Sequence, residues 1–385
     1  MITISLIALI AIYLAGFFLL PKDEESQPPY LMASAGNWLV SLFLGCTIFY
    51  GCAFSDGKDN EYWGSYVTQA VFEEEWNEYI HQTCSYTTTD SEGNTTTHYY
   101  DCSYVQYHPE RWWFQDNIGQ TFNISEAKYN ELVKRWHSQK KTGHHSGHTI
   151  SGDIFSTFYD NNRDHMECIT TVHPYFNRVD ASDSVFKFTP ITPDNAKKLG
   201  LYDYPAYSIH IPSVFGYKNS HNLDVLNSLY GNAYQVRVWI LVYKDLPAIT
   251  SVNQRDYWHG SNKNELVLCI GLKDNKVEWA NTFSWSESDE LLVDCREEIL
   301  KQHGKTLEIE SIVNYLHQEI PTRWQRKQFA DFNYLSLKVN TGWYITAIVV
   351  SFIAGLIGPG YVLFMFHAKD KKNELRPFHY SRFRR

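Results

Sequence analysis

Histidine is the residue type with the clearest chemical potential here, because four histidines fall within one short polar stretch. They are His137, His144, His145 and His148. Neutral imidazole is a common zinc ligand, and a zinc site needs three or four convergent donors. The spacing lacks the helix-borne glutamate of the H-E-x-x-H metalloprotease pattern, and the neighbouring glycines favour a mobile loop. We interpret the run as a solvated loop, with zinc binding by these four histidines as the alternative.

Cysteine supplies a second kind of chemistry. Cys84 and Cys102 lie at similar distances from a central Asp-Ser-Glu-Gly-Asn turn sequence, in a stretch rich in Thr and Tyr. Such residues favour strands, so the pair is expected to close a β-hairpin with a disulfide in an oxidising compartment. The odd set Cys168, Cys269 and Cys295 leaves two alternatives. Either one more bridge forms beside a free thiol, or the domain faces a reducing space and none of the cysteines pair.

Catalytic signatures are otherwise missing from the sequence. It has no glycine-rich phosphate loop, no G-x-S-x-G elbow and no dinucleotide-binding fingerprint. We therefore predict no catalytic residue and no cofactor-binding residue. The aromatic run at 107–114 is either a recognition surface or a packed corner beneath the hairpin.

Composition narrows the possible partners. The formal net charge is −9, which argues against nucleic acid because phosphate binding needs a basic surface. Aromatic residues make up 16% of the chain, which suits a surface made for contacts without identifying a ligand.

Three apolar stretches frame the chain, at 2–20, 37–55 and 343–367, and none contains Asp, Glu, Lys or Arg. A bilayer core is crossed by about 20 apolar residues, so each is predicted to be a transmembrane helix. A cleaved signal peptide is the alternative for the first, and 21–36 is expected to be a short polar loop. The basic tail at 368–385 predicts a cytoplasmic carboxyl terminus and an extracytoplasmic main domain.

The third apolar stretch contains Gly355, Gly358, Pro359 and Gly360. Proline removes a backbone donor and glycine permits close helix approach, so a kinked anchor or a contact with a partner helix is expected there.

The region between the apolar stretches is predicted to contain two parts. Residues 57–150 are expected to form a helix over Tyr66–Ile80, the hairpin, a helix over Ile124–Trp136 and the histidine-rich loop. Residues 151–338 are expected to form an α/β sandwich. Its predicted elements are strands Ala233–Tyr243 and Glu265–Leu272, a hairpin partner Val277–Asn281, and helices Glu287–His303 and Ile309–Phe329. The fold class is thus a membrane-anchored α+β protein, with two amino-terminal helices and one carboxy-terminal transmembrane helix around this sandwich and its disulfide-closed hairpin.

Residues 222–330 resemble the TPM family of extracytoplasmic domains. The resemblance rests on Leu226–Tyr243 as helix then strand, Asn264–Gly271 as a strand, and Asp274–Val277 in the hairpin turn. It implies an α/β domain with mostly accessory roles in maintaining membrane complexes, and phosphatase activity is proposed for some members. The family's glycine-rich segment is replaced here by Asn281–Asp289, so its acidic metal site does not carry over.

Three functions follow as hypotheses. The leading one is a membrane-anchored accessory protein that binds another membrane or envelope protein, with the lipid bilayer as a second partner. The alternatives are a metal-assisted hydrolase or phosphatase, and a structural membrane component that forms a homo-oligomer through the third helix.

Overall fold

The computed structural model describes residues 39–41, 43–52, 55, 58–145, 152–177, 188–332, 335 and 341–374. The chain divides into two compact units. One comprises residues 1–59, 174–187 and 329–385, and the other comprises residues 60–173 and 188–328.

The described residues form eight α-helices and fourteen strands. The helices are α1 (39–41 and 43–52), α2 (Glu126–Trp136), α3 (Pro193–Lys198), α4 (His221–Tyr234), α5 (Ile249–Tyr257), α6 (Asp289–Leu300), α7 (Ile309–Arg323) and α8 (Thr341–Glu374). The strands are β1 (Lys58–Glu73), β2 (Trp76–Ile80), β3 (Thr83–Thr89), β4 (Thr95–Asp101), β5 (Tyr104–His108), β6 (Arg111–Asp116), β7 (Thr121–Asn123), β8 (Lys140–His144), β9 (Asp153–Phe158), β10 (Cys168–Phe176), β11 (Val214–Phe215), β12 (Arg237–Lys244), β13 (Glu265–Lys273) and β14 (Lys276–Ser284).

The membrane prediction is corrected by the structure. Within the part of the chain that it describes, none of the helices combines the length and the apolar character needed to cross a membrane. The membrane-anchored class and the multi-pass location, with an extracytoplasmic domain and a cytoplasmic tail, are therefore wrong. The stretch 2–20 and the loop 21–36 lie outside the described residues.

The other two apolar stretches correspond to helices α1 and α8, which contact each other. The Ser41 hydroxyl donates to the Ser351 carbonyl, and both residues are buried. The rings of Phe49 and Tyr344 meet edge to face at 6.4 Å. An apolar run indicates only that a segment tends to leave water, and packing against another helix serves part of that tendency. Many apolar side chains of both helices stay exposed, among them Phe43 and Ile357, so the length of an apolar run alone does not decide whether a helix crosses a membrane.

In the first sheet the strands pair antiparallel in the order β7-β6-β1-β9-β8, and β10 also pairs with β1. The predicted helix over Tyr66–Ile80 is wrong, because this segment forms the second half of β1 and then β2. Its β-branched and aromatic residues suit a strand, although their spacing also fits a helical stripe. Val67 and Ala70 of β1 instead pack with Leu132 of α2 in a buried cluster.

Helix α2 confirms the predicted helix over Ile124–Trp136. Ser125 is its amino-terminal cap, since its hydroxyl accepts a hydrogen bond from the Lys128 amide at 3.2 Å. His137 ends the helix in the left-handed conformation, with φ of 50°.

The second sheet has the order β11-β12-β13-β14, with β14 antiparallel to β13 and the other pairs parallel. Strand β12 starts later than predicted because α4 extends to Tyr234, whereas β13 and the β14 hairpin lie close to their predicted positions. Helices α4, α6 and α7 pack on one face of this sheet, through Leu226, Cys295 and Leu316 among others. The other face carries Trp239 and packs in an aromatic cluster with Trp258, which follows α5. Because both faces are covered, the strands are apolar along nearly their whole length.

Candidate functional site

The most prominent surface feature is a two-stranded β-ribbon, residues 76–108, which we call the ribbon. Its inner part pairs β2 with β5, from Trp76 opposite His108 to Ile80 opposite Tyr104. Its outer part pairs β3 with β4, from Thr83 opposite Asp101 to Thr89 opposite Thr95. The sequence predicted the outer hairpin, but the inner pairing was missed because it falls in the segment interpreted as a helix.

The ribbon exposes an unusual number of aromatic rings. Tyr99 is 74% exposed and Tyr86 is 53% exposed, although tyrosine normally buries its ring. Tyr86 stacks on His98 with ring centroids 5.0 Å apart and contacts Tyr100 at 6.2 Å, so one face of the outer hairpin presents three neighbouring rings. The other exposed large side chains of the ribbon are Tyr79, Tyr104, Val105 and Tyr107.

The charges on this feature are all of one sign. No Lys or Arg occurs between residues 74 and 110. The acidic residues of the ribbon are Glu78, Asp90, Glu92 and Asp101, and Glu74, Glu75 and Glu110 flank it. Hydrogen bonds from Asn94 lower the pKa of Asp90, and those from Ser103 lower the pKa of Asp101. These two carboxylates therefore keep their negative charge to a lower pH than an ordinary aspartate does.

A disulfide fixes the ribbon at its middle. Cys84 and Cys102 are bonded, with their Cα atoms 5.8 Å apart, which confirms the predicted pairing. The Asp90 carboxylate accepts hydrogen bonds from the backbone amides of Glu92 and Asn94 at 3.0 and 2.8 Å and thereby fixes the turn. Both ends of the outer hairpin are thus held by local bonds.

The base of the ribbon is held by Glu73, the last residue of β1. Its buried carboxylate accepts two hydrogen bonds from Arg111 at 2.9 and 2.8 Å, one from Trp113 at 2.7 Å, and lies 3.1 Å from His145 Nε2. Burial on its own raises the pKa of Glu73, but the hydrogen bonds from Arg111 and Trp113 lower it below the usual value of 4.5. Glu73 is therefore an ionised anchor where the ribbon leaves the sheet.

Trp76 lies beside this anchor, between two histidine rings. His108 and His145 stack on it with centroids 4.2 Å away in each case. His108 also lies 3.0 Å from the Glu78 carboxylate. The stack orients the first residues of the ribbon relative to the sheet.

The predicted zinc ligands have separate roles where the structure describes them. His137 ends α2, His144 lies 2.7 Å from the Asp153 carboxylate, and His145 belongs to the Trp76 stack. The loop interpretation is wrong for part of this run, because Lys140–His144 forms strand β8. Within the described ranges, no three His, Cys, Asp or Glu side chains are grouped so that they could hold a metal ion. His148 lies outside those ranges, so the zinc alternative stays a prediction.

The remaining cysteines do not pair with one another. Cys168, Cys269 and Cys295 are free thiols, and burial raises the pKa of each to about 12. Cys269 and Cys295 are core residues, as their positions on a strand and a helix predicted. Thiols with these pKa values are protonated at neutral pH and are poor nucleophiles.

The predicted helix-packing residues Gly355, Gly358, Pro359 and Gly360 lie along α8, but their packing falls outside what the structure describes. That contact stays a prediction.

Comparisons with known proteins returned no matching family model, no matching curated protein and no matching solved structure. The resemblance of residues 222–330 to the TPM family therefore also stays a prediction.

Proposed function

We propose that the protein is a binding protein that uses the ribbon to hold a partner protein with a Lys- and Arg-rich surface. The observation that carries the proposal is the combination of exposed tyrosines and purely acidic charge on one disulfide-bonded ribbon. In this role the chain is an accessory protein, as the resemblance to the TPM family also implies.

The chemistry of the ribbon favours a cationic partner. Guanidinium and ammonium groups bind over tyrosine faces, and they pair with carboxylates at the rim of an interface. Tyr86 and Tyr100 supply adjacent faces, and Asp101 lies at the end of the same hairpin. Tyrosine also loses little conformational entropy on binding because its side chain has two rotatable bonds.

The rigidity of the ribbon supports the same proposal. The disulfide, the Asp90 turn and the Glu73 anchor order this element before any partner arrives. A surface that is already ordered loses less entropy on association, so more of the contact energy appears as affinity.

The test places a photoreactive cross-linking amino acid at Thr88, which is exposed on the Tyr86 face of the outer hairpin, and the full chain is then exposed to extract from native cells. A matched control carries the same group at Val293, which is exposed on α6. We expect a discrete cross-linked protein at position 88 that is absent at position 293. The captured protein is then purified and titrated against the wild-type chain and against the double variant Tyr86→Ser, Tyr100→Ser.

The affinity should fall about tenfold or more in the double variant and should weaken as salt is raised, because opposite charges across a rim are screened. A captured protein that binds the double variant as tightly as the wild type would contradict the proposal. Binding that does not respond to salt would also contradict it.

A further inference from the structure

A second feature lies away from the ribbon, in the unit formed by residues 60–173 and 188–328. It is a cavity of about 230 Å³ bordered by the start of β10, the segment before β11, helix α4 and the first residue of β12. Its polar lining includes Arg237, Asp224, Asn227, Ser213 and Cys168. The volume is below the range typical of drug-sized ligands, so any occupant is a small molecule.

Arg237 is the unusual member of the lining. Its side chain is fully buried, and its guanidinium lies 4.2 Å from the centroid of the Trp239 ring. One terminal nitrogen donates to the Thr170 hydroxyl and the other to the Ile211 carbonyl, both at 3.2 Å. Its Nε–H finds no acceptor among the described residues. Buried charges are normally paired, but among the described residues this guanidinium has an unused donor and no bonded counter-ion.

A carboxylate on the neighbouring strand acts on Arg237 through its charge but does not bond to it. Glu265 stands opposite Arg237 in the β12–β13 register. Its carboxylate is instead engaged by the Tyr204 hydroxyl at 2.5 Å, by the Ser261 hydroxyl and by the Asn262 amide. Among the described residues, Glu265 forms no ion pair with Arg237.

Asp224 supplies the opposite charge within the same cavity. It lies in the first turn of α4, where the helix dipole favours a carboxylate. It accepts hydrogen bonds from Ser213 at 2.6 Å and Asn219 at 2.7 Å. A carboxylate has about four acceptor positions, so Asp224 can accept more bonds from a ligand.

A third lining residue, Asn227, is fixed by its hydrogen bonds. The Asn227 side chain donates to the Ser213 hydroxyl and the Val238 carbonyl and accepts from the Val238 amide at 2.7 Å. Because its hydrogen bonds are already made within the protein, Asn227 fixes the spacing of α4 from β12. Arg237 and Asp224 are thus held as separate, opposite charges that share one cavity.

We propose that this cavity binds a small α-amino acid. The ligand carboxylate pairs with the Arg237 guanidinium as its counter-ion, and the ligand ammonium donates to Asp224. A zwitterion satisfies both charges at once, whereas a simple anion or a simple cation satisfies one of them. The proposal is independent of the ribbon and of the partner proposed for it.

The test titrates the full-length protein calorimetrically with L-alanine, and separately with acetate and methylammonium as probes that carry one charge each. We expect saturable binding of L-alanine and affinities roughly ten- to hundredfold weaker for each single-charge probe, because each lacks one charge-assisted hydrogen bond. Absence of saturable L-alanine binding at millimolar concentration would overturn the proposal. Acetate binding as tight as that of L-alanine would also overturn it, since the cavity would then be an anion site only.

Two variants assign the binding to these residues. Arg237→Gln and Asp224→Asn should each weaken L-alanine binding by roughly ten- to hundredfold. Arg255→Gln is the control, because Arg255 is on α5 and outside the cavity lining. Unchanged affinity in Asp224→Asn would reject the site. If Arg237→Gln does not fold, the probe comparison on the wild-type protein still decides the question.

Discussion

Glu73 shows how one buried carboxylate can determine the geometry of a larger element. It joins the end of β1 to Arg111 and Trp113 of β6 and to His145, and it does so where the ribbon begins. Charge-assisted hydrogen bonds of this kind are about twice as strong as neutral ones. Glu73 therefore ties the ribbon to the first sheet.

We predict that Glu73→Gln lowers the free energy of unfolding by about 1–3 kcal/mol, since the amide accepts fewer hydrogen bonds and carries no charge. The lower part of this range is expected, because the Arg111 side chain is 61% exposed and water screens its charge. Chemical denaturation of both proteins at neutral pH measures the difference. Glu92→Gln, at the exposed turn of the ribbon, is the control and should have no effect.

The pH dependence of this effect has a defined sign. The folded-state pKa of Glu73 is lowered from 4.5, so the native state binds its proton less tightly than the unfolded chain does. Its contribution is fully present above pH 4.5 and is lost as the pH falls through the lower folded value. The difference in the free energy of unfolding between the wild type and Glu73→Gln should become smaller in that acidic range. A difference that stays constant there would contradict the role of the ionised carboxylate.

At the scale of elements, β1 and α4 approach each other backbone to backbone at two glycines. A Cβ placed on Gly231 would lie 2.3 Å from the Gly64 carbonyl oxygen, and one on Gly64 would lie 2.2 Å from the Asn227 carbonyl oxygen. Both obstacles are backbone atoms, which cannot rotate away as a side chain can. The two glycines therefore permit the strand and the helix to touch directly.

The substitution Gly231→Ala tests this contact, because the contact reverses the expected sign of the change in the free energy of unfolding. Alanine normally stabilises a helix by about 1 kcal/mol relative to glycine. Here we expect destabilisation of about 1–3 kcal/mol, because the added methyl group forces the two backbones apart. The neighbouring Asn232→Ala, on the exposed side of α4, should be neutral or slightly stabilising. Thermal unfolding of both variants gives the answer, and a stabilised Gly231→Ala would disprove the contact.

The disulfide is expected to act on the ribbon and not on the sheets. It closes a loop with a sequence separation of 18, and such closure contributes about 3 kcal/mol. Since the outer hairpin is exposed and has no core of its own, that energy should stabilise it locally. In Cys84→Ser, Cys102→Ser we predict amide exchange roughly a hundredfold faster within 83–101.

Strand β13 serves as the internal reference for that experiment. It is buried along nearly its whole length, so its amides should exchange at the wild-type rate in the double variant. Unchanged exchange in 83–101 would mean that the disulfide does not maintain the hairpin.

The elements differ in how well the sequence predicts them. The outer hairpin, α2 and β13 were predictable because a turn sequence, a cap and a continuous apolar run are local signals. The strands within Tyr66–Ile80 were not predictable. The apolar spacing there fits both the helical and the strand period, and only pairing with distant strands decides between them. The Glu73 anchor and the cavity could not be predicted for a related reason. Glu73 and Arg237 form hydrogen bonds with residues that lie tens of positions away in the sequence.

At the scale of the whole molecule, apolar length predicted membrane helices that the described structure does not contain. The net charge of −9 argues against a nucleic-acid partner, and part of that charge is concentrated on the ribbon. A count of charges does not show where they are placed, so the acidic surface became apparent only with the strand pairing.

One buried ion pair joins distant parts of the chain. Arg326 follows α7 and donates two hydrogen bonds, at 2.6 and 2.7 Å, to Glu61 near the start of β1. Their side chains are 7% and 2% exposed. Removing one partner of a buried pair leaves an uncompensated charge, which typically costs about 3–5 kcal/mol. We predict a loss of this size in Arg326→Met, measured by denaturation at neutral pH, and recovery of most of it in Glu61→Gln, Arg326→Met.

The pH dependence should be opposite to that of Glu73. Burial raises the pKa of Glu61 above 4.5, although Arg326 opposes the shift, so removal of Arg326 should raise that pKa further. Stability linked to a raised pKa is fully present below 4.5 and is lost as the pH rises through the folded value. The Arg326→Met variant should therefore be weakest at neutral pH and should approach the wild type as Glu61 becomes protonated. A deficit that does not change with pH would show that Arg326 acts through packing and not through its charge.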